Sequence, residues 1–162
     1  HLASALSLQL QVSNASFRSV LEARRAIYPI LVTEAAQNAS HQDIAALRQN
    51  LAEVRAAIGL SGSAVAEMRR FYELIAVASQ NLVLGMLVNA LHRMSEPINT
   101  EYDATRWQAS LRESESLLNA IERSDAEEAR AISTRATAAA MRYQEKNAPE
   151  QLNAPVCWIA TD

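Results

Sequence analysis

The chain has 162 residues, of which 49% are hydrophobic and only 5% aromatic, with three glycines, four prolines and one cysteine. A formal charge of −3 and the lack of any Lys/Arg run argue against a nucleic-acid or anionic-membrane surface on this chain. Cys157 has no partner for an internal disulfide, which favours a reducing cytoplasm, and the longest apolar run, Leu82 to Leu91, is broken by Asn89 and far short of the ~20 residues a membrane span needs.

In chain order, residues 1–14 form a leading segment with a short helix expected over Leu6–Gln11. The chain opens on His1 and not on Met, which reads as a trimmed or excised piece. The first long helix is expected from about Ala15 to Gln37, with Pro29 bending it by removing a backbone donor. Ser40 followed by Asp43 is a capping-box start for a second helix, which Gly59 ends. After the Ser61-Gly62-Ser63 turn a third helix carries EMRRFYELIAVASQN (67–81). Gln80 and Asn81 separate it from a fourth over Leu82–Met94. Pro97 precedes a fifth near Thr100–Arg123. Asp125 with Glu128 opens a sixth that ends near Lys146. Residues 147–162, with Pro149 and Pro155, show no clear period and are expected as a tail packed through Val156, Trp158 and Ile159.

Each long helix carries an inward stripe at spacings of three and four. The stripes are Phe17, Leu21, Arg24, Tyr28, Leu31 and Ala35; Ile44, Leu47, Leu51, Val54 and Ile58; Val65, Met68, Tyr72, Ile75 and Ser79; Trp107, Leu111, Ser114, Leu118 and Ile121; and Ala129, Ile132, Ala136, Ala139 and Tyr143. Few glycines, abundant Ala and Leu, and short connections give an all-α, antiparallel bundle of six to seven helices over residues 15–146.

Four stripe members are polar: Arg24, Tyr28, Tyr72 and Ser114. A buried polar group without a partner costs about 1–3 kcal/mol, so these four are expected either to satisfy one another around a shared cavity or to find separate exits. Tyr28 and Tyr72 also fit the edge of a core. Ser114 can bond back to its own helix, Met68 can fill a gap, and Arg24 can pair with Glu22, Glu34 or Glu73 or hold an anion. No catalytic constellation stands out. His1, His41 and His92 all read as ordinary surface residues. Glu113/Glu115 and Glu127/Glu128 are spaced for solvated faces, and no glycine-rich phosphate loop exists. An enzyme is not expected.

Four segments resemble, in order, the effector-binding domain of GntR-family transcription regulators of the FadR branch, the FCD domain. They are FRSVLEARRAIYPILVTEAA (17–36), SHQDIAALRQNLAEV (40–54), RRFYELIAVASQN (69–81) and SLLNAIERSDAEEA (116–129). In the first, Tyr28 replaces the usual Glu. Many relatives bind a divalent metal through one Asp and three His. Carried over, the Asp falls on Met68 and the histidines on Tyr72, Ser114 and Ala136, so the ligand set is missing. The resemblance implies a cytoplasmic, homodimeric sensor of a small organic effector, and the missing ligand set adds the expectation of a carboxylate or acyl-type ligand bound with no metal or other cofactor. Arg24, Tyr28, Met68, Tyr72, Asn81, Ser114 and Ala136 would line the site, with Asn81 either orienting the ligand or only capping the next helix. DNA contact would run through a winged helix preceding residue 1. The alternative is a dimerisation module with a collapsed pocket.

Overall fold

The computed structural model describes residues 15–60, 63–94 and 102–156. Within them lie seven helices and no strand: α1 (Phe17–Asn38), α2 (His41–Ala57), α3 (Ser63–Ala78), α4 (Leu82–Met94), α5 (Ala104–Glu122), α6 (Ala126–Asn147) and α7 (Pro149–Asn153). The expected helix at Leu6–Gln11 lies outside the described residues, as do Cys157, Trp158 and Ile159.

Local chemistry sets the helix starts. Ser40 and Asp43 form a full capping box on α2, the Asp43 carboxylate accepting from the Ser40 backbone N–H at 2.9 Å. Asp103 accepts from Arg106 N–H at 2.7 Å to start α5, and Asp125 accepts from Glu128 N–H at 3.0 Å to start α6. Each carboxylate satisfies a backbone donor that the first turn leaves open, and it complements the positive end of the helix dipole. At the other end of α2, Gly59 takes φ +93°, a left-handed conformation that favours glycine.

The central helix is α1, which packs against α3, α4, α5, α6 and α7. It runs unbroken through Pro29, which is buried. The Pro29 carbonyl accepts from the Thr33 hydroxyl at 2.8 Å. The main core joins Leu31, Val32 and Ala35 of α1 to Leu47 and Val54 of α2, Phe71 and Ile75 of α3, and Leu117 and Ile121 of α5. A second cluster gathers around the start of α1, where Phe17 and Val20 meet Leu91 and Met94 of α4, Met141 of α6 and Leu152 of α7. On α3 the most deeply buried face runs through Phe71, Ile75 and Ala78, sharing Ile75 with the stripe read from sequence and taking Phe71 in place of Tyr72. Met68 and Tyr72 sit at the margin of that face, where it opens on a hollow.

The stretch expected as a tail is built into the bundle as far as it is described. Pro149 starts α7 at the one helical position where its missing N–H costs nothing. Leu152 and Val156 are buried. Val156 N–H donates to Ala15 O at 3.0 Å and Phe17 N–H donates to Ala154 O at 2.9 Å, tying the two ends of the described chain together. Among its described residues, Leu152 and Val156 are the buried ones, too few to set a helical period.

Candidate functional site

A cavity of about 170 Å³ lies between α1, α3, α5 and α6. Arg24 and Tyr28 reach it from α1, Met68 and Tyr72 from α3, Ser114 from α5 and Ala136 from α6. Four separate helices therefore present these six residues to one space.

The contacts among them are specific. The Tyr28 and Tyr72 rings stack with centroids 4.3 Å apart and planes 22° from parallel. Arg24 Nε–H donates to the Tyr28 hydroxyl at 2.8 Å. The Ser114 hydroxyl donates to Met68 Sδ at 3.5 Å across the gap between α5 and α3, so it does not bond back to its own helix. Burial pushes both phenols above their usual range, with Arg24 pulling each partly back. They are neutral donors at physiological pH.

Behind Tyr28 stands a residue that the sequence did not single out. His92, read there as a surface residue, is 2% exposed. Its Nε2 lies 2.5 Å from the Tyr28 oxygen and its Nδ1 lies 3.5 Å from Glu73 Oε1. Glu73 faces Nδ1, which places the ring proton there and leaves Nε2 to accept from Tyr28. The chain of donors then runs Arg24 to Tyr28 to His92, with Nδ1–H directed at Glu73. Burial lowers the His92 pKa, and the positive charges of Arg24 and Arg69 lower it further against the opposing pull of Glu73. The hydrogen bond from His92 holds the Glu73 carboxyl below its ordinary range. The signal for His92 was its place one turn after Val88, on the buried side of α4.

A second group was also missed. Arg106, Ser110, Glu113 and Leu117 all line the cavity, and their spacing of four, three and four marks one face of α5. That face lies beside the Trp107–Ser114 stripe. The Arg106 side chain is only 10% exposed and meets Glu113 at 3.3 Å.

Asn81 stands elsewhere. Its Oδ1 accepts from Leu84 N–H at 3.1 Å, capping α4, and its Nδ2 donates to Glu34 at 2.9 Å. Nearby, Asn38 Nδ2 donates to Ser79 O at 3.1 Å, and Gln80 Nε2 donates to Asn38 O at 2.8 Å. The Ala-Ser-x-Asn turn thus clamps the end of α1 to the α3–α4 junction. Asn81 does not line the cavity because capping α4 turns its amide toward the helix start and α1.

The FCD domain model matches residues 19–139. The chain belongs to the FCD domain family. Among solved structures, E. coli McbR/YncC is similar, with a TM-score of 0.66 and 22% identity over 80% of this chain and 65% of that one. At that identity the likeness speaks for the fold, and this chain spans 65% of the length of that protein. No curated protein matches the chain.

The FCD resemblance makes four of the lining residues informative. Met68, Tyr72, Ser114 and Ala136 are the positions where the Asp and three His of metal-binding relatives would stand, and all four face the same cavity here. They do not fit a divalent metal. A thioether is a weak ligand for a hard or borderline cation, a neutral phenol and a hydroxyl are poor ones, and a methyl group offers no lone pair. Among the described residues, no group of three or more His, Cys, Asp or Glu side chains is placed to hold a metal ion.

Proposed function

We propose that this FCD domain is the effector-sensing and dimerising part of a GntR-type transcription regulator, and that it binds a small organic acid without a metal. The observation that carries this reading is the convergence of Met68, Tyr72, Ser114 and Ala136 on one cavity that arginines also line. Hydrogen-bond donors and a guanidinium replace the cation that would otherwise hold an anionic effector. Binding and not turnover is the function proposed for this cavity.

Homodimerisation is the second element of this proposal. Leu82 is 79% exposed at the start of α4, and Val83 and Met86 on the same helix are also exposed. Leu82 and Met86 stand one turn apart and so share a face. Exposed apolar side chains grouped in this way suit a partner surface, and a second copy is the occupant that the FCD resemblance implies. Effector binding would then shift the balance between two dimer geometries and re-aim the attached DNA-binding domains. DNA contact belongs to a winged helix preceding this domain, in keeping with the charge of −3 on the chain itself. No helix among the described residues is long and apolar enough to cross a membrane, and a cytoplasmic location follows from the regulatory role.

Thermal unfolding with a panel of organic acids tests the reading. A ligand that binds the folded state alone raises the midpoint, by a stabilisation of about 2.7 kcal/mol at a hundredfold excess over Kd. A rise that survives EDTA supports the proposal. A flat response across the panel favours a collapsed pocket, in which the Arg24–Tyr28 hydrogen bond serves the fold alone.

A further inference from the structure

We propose that the effector is a single-ring aromatic monocarboxylate, its ring set against Tyr72 and Trp107 and its carboxylate held by Arg106. This rests on the effector-sensing reading and narrows it to a ligand class.

The walls point to a ring. The chain has two Trp, four Tyr and two Phe, and five of these eight, Phe17, Tyr28, Tyr72, Tyr102 and Trp107, line this one cavity. Four of the five form two packed pairs, Tyr28 on Tyr72 at 4.3 Å and Tyr102 on Trp107 at 5.1 Å in an edge-to-face contact. A core built from small aliphatics has no packing need to gather its few aromatics around an opening. Aromatic faces and edges offer the geometry that another ring prefers, and the Met68 sulfur suits the edge of one.

The size sets the limit. A cavity of about 170 Å³ compares with the engineered cavity of about 150 Å³ that takes up benzene. One ring with a small acidic substituent matches that space, whereas a long acyl chain exceeds it.

The charge fixes the anchor. Arg24, Arg25, Arg69 and Arg106 line the cavity against a single carboxylate, Glu113. Arg106 Nη1 and Nη2 reach Glu113 only at 3.3–3.4 Å, and Arg106 Nε is buried with no hydrogen-bond partner. Charge-assisted N–H to carboxylate bonds close to about 2.7–2.9 Å, so the guanidinium is incompletely satisfied by Glu113. A ligand carboxylate that takes the place of Glu113 would accept from two guanidinium N–H groups together, the bidentate geometry for which the planar fork is suited. Glu113 competes for the same guanidinium and is the residue that a carboxylate ligand would displace.

The test uses Trp107 as a reporter. In a Trp158→Phe variant it is the only tryptophan, and its fluorescence is followed on titration with benzoate, phenylacetate, hexanoate and gluconate. The aromatic acids are expected to bind at least tenfold more tightly than the other two. Arg106→Gln is expected to weaken the better aromatic acid at least tenfold, with circular dichroism confirming that the variant is folded. Glu113→Gln removes the competitor and is expected to tighten binding severalfold. If Arg106→Gln fails to fold, Glu113→Gln decides, and unchanged or weaker binding in it overturns the assignment. Hexanoate or gluconate binding as tightly as the aromatic acids overturns the ligand class while leaving the effector-sensing reading in place. An absence of binding by any organic acid removes both.

Discussion

The Tyr28 oxygen lies 2.5 Å from Nε2 of His92, joining the middle of α1 to the last turn of α4 through the interior of the bundle. Tyr28 also stacks on Tyr72 and therefore belongs to the cavity wall. One phenol thus touches both the proposed effector site and the helix whose outer face carries Leu82 and Met86. In the proposed reading, a ligand that shifts the Tyr28–Tyr72 stack would act on the hydrogen bond between Tyr28 and His92 of α4.

This relay should make stability fall in mild acid. Burial lowers the His92 pKa in the folded state, while the unfolded chain titrates near 6.5. Below that value the unfolded state binds the proton first, so the stabilisation is complete above about pH 6.5 and is lost as pH falls toward the folded pKa. The size of the loss is set by how far burial lowers the folded pKa. Glu73, whose pKa is lowered, adds stability that is lost at still lower pH. Urea midpoints at pH 7.5, 6 and 5 check this, and His92→Gln should flatten the upper part of the profile.

Asn81→Ala should destabilise without touching the cavity. It removes the α4 cap and the Glu34 tie, at a cost of about 1–2 kcal/mol. Urea unfolding reads the loss, and the affinity for an organic acid should match that of the unaltered protein. A large fall in affinity in a folded Asn81→Ala protein would return Asn81 to the site.

Leu82→Glu with Met86→Glu should convert the proposed dimer to a monomer. Both side chains are exposed on the isolated chain, so the charges cost little in the monomer and are expensive when an apolar interface buries them. Light scattering on the purified protein measures the mass. A dimer that survives both substitutions places the interface on another face.

Restoring the four missing donors should create a metal site. Met68→Asp, Tyr72→His, Ser114→His and Ala136→His together put one carboxylate and three imidazoles around the cavity that these positions already line. Elemental analysis should then find about one divalent ion per chain. The unaltered protein should hold none, since a thioether, a phenol, a hydroxyl and a methyl group stand there.

The bundle was legible because its helices are long and amphipathic and their starts are chemically marked. The Ser40–Asp43 box, the Asp125 cap and the Leu82–Met94 helix stand where the pattern put them. Stripe spacing together with the FCD resemblance also brought out Arg24, Tyr28, Met68, Tyr72, Ser114 and Ala136, which line one cavity. Periodicity failed where polarity conceals burial. His92 and Arg106 are themselves polar, and only the three-dimensional arrangement of Tyr28, Glu73 and Glu113 shows what holds them. Asn81 matched a family motif, but its hydrogen bonds at 2.9 and 3.1 Å serve Glu34 and the start of α4. A motif match marks a position and leaves open what the side chain there touches.

The most direct measurement is a calorimetric titration of an aromatic acid into the purified protein, before and after exhaustive treatment with EDTA. The expected result is saturable binding with one site per chain and the same affinity in both samples. Binding that disappears on chelation and returns with added zinc or manganese would contradict a cavity that grips its guest through arginine and hydroxyl donors.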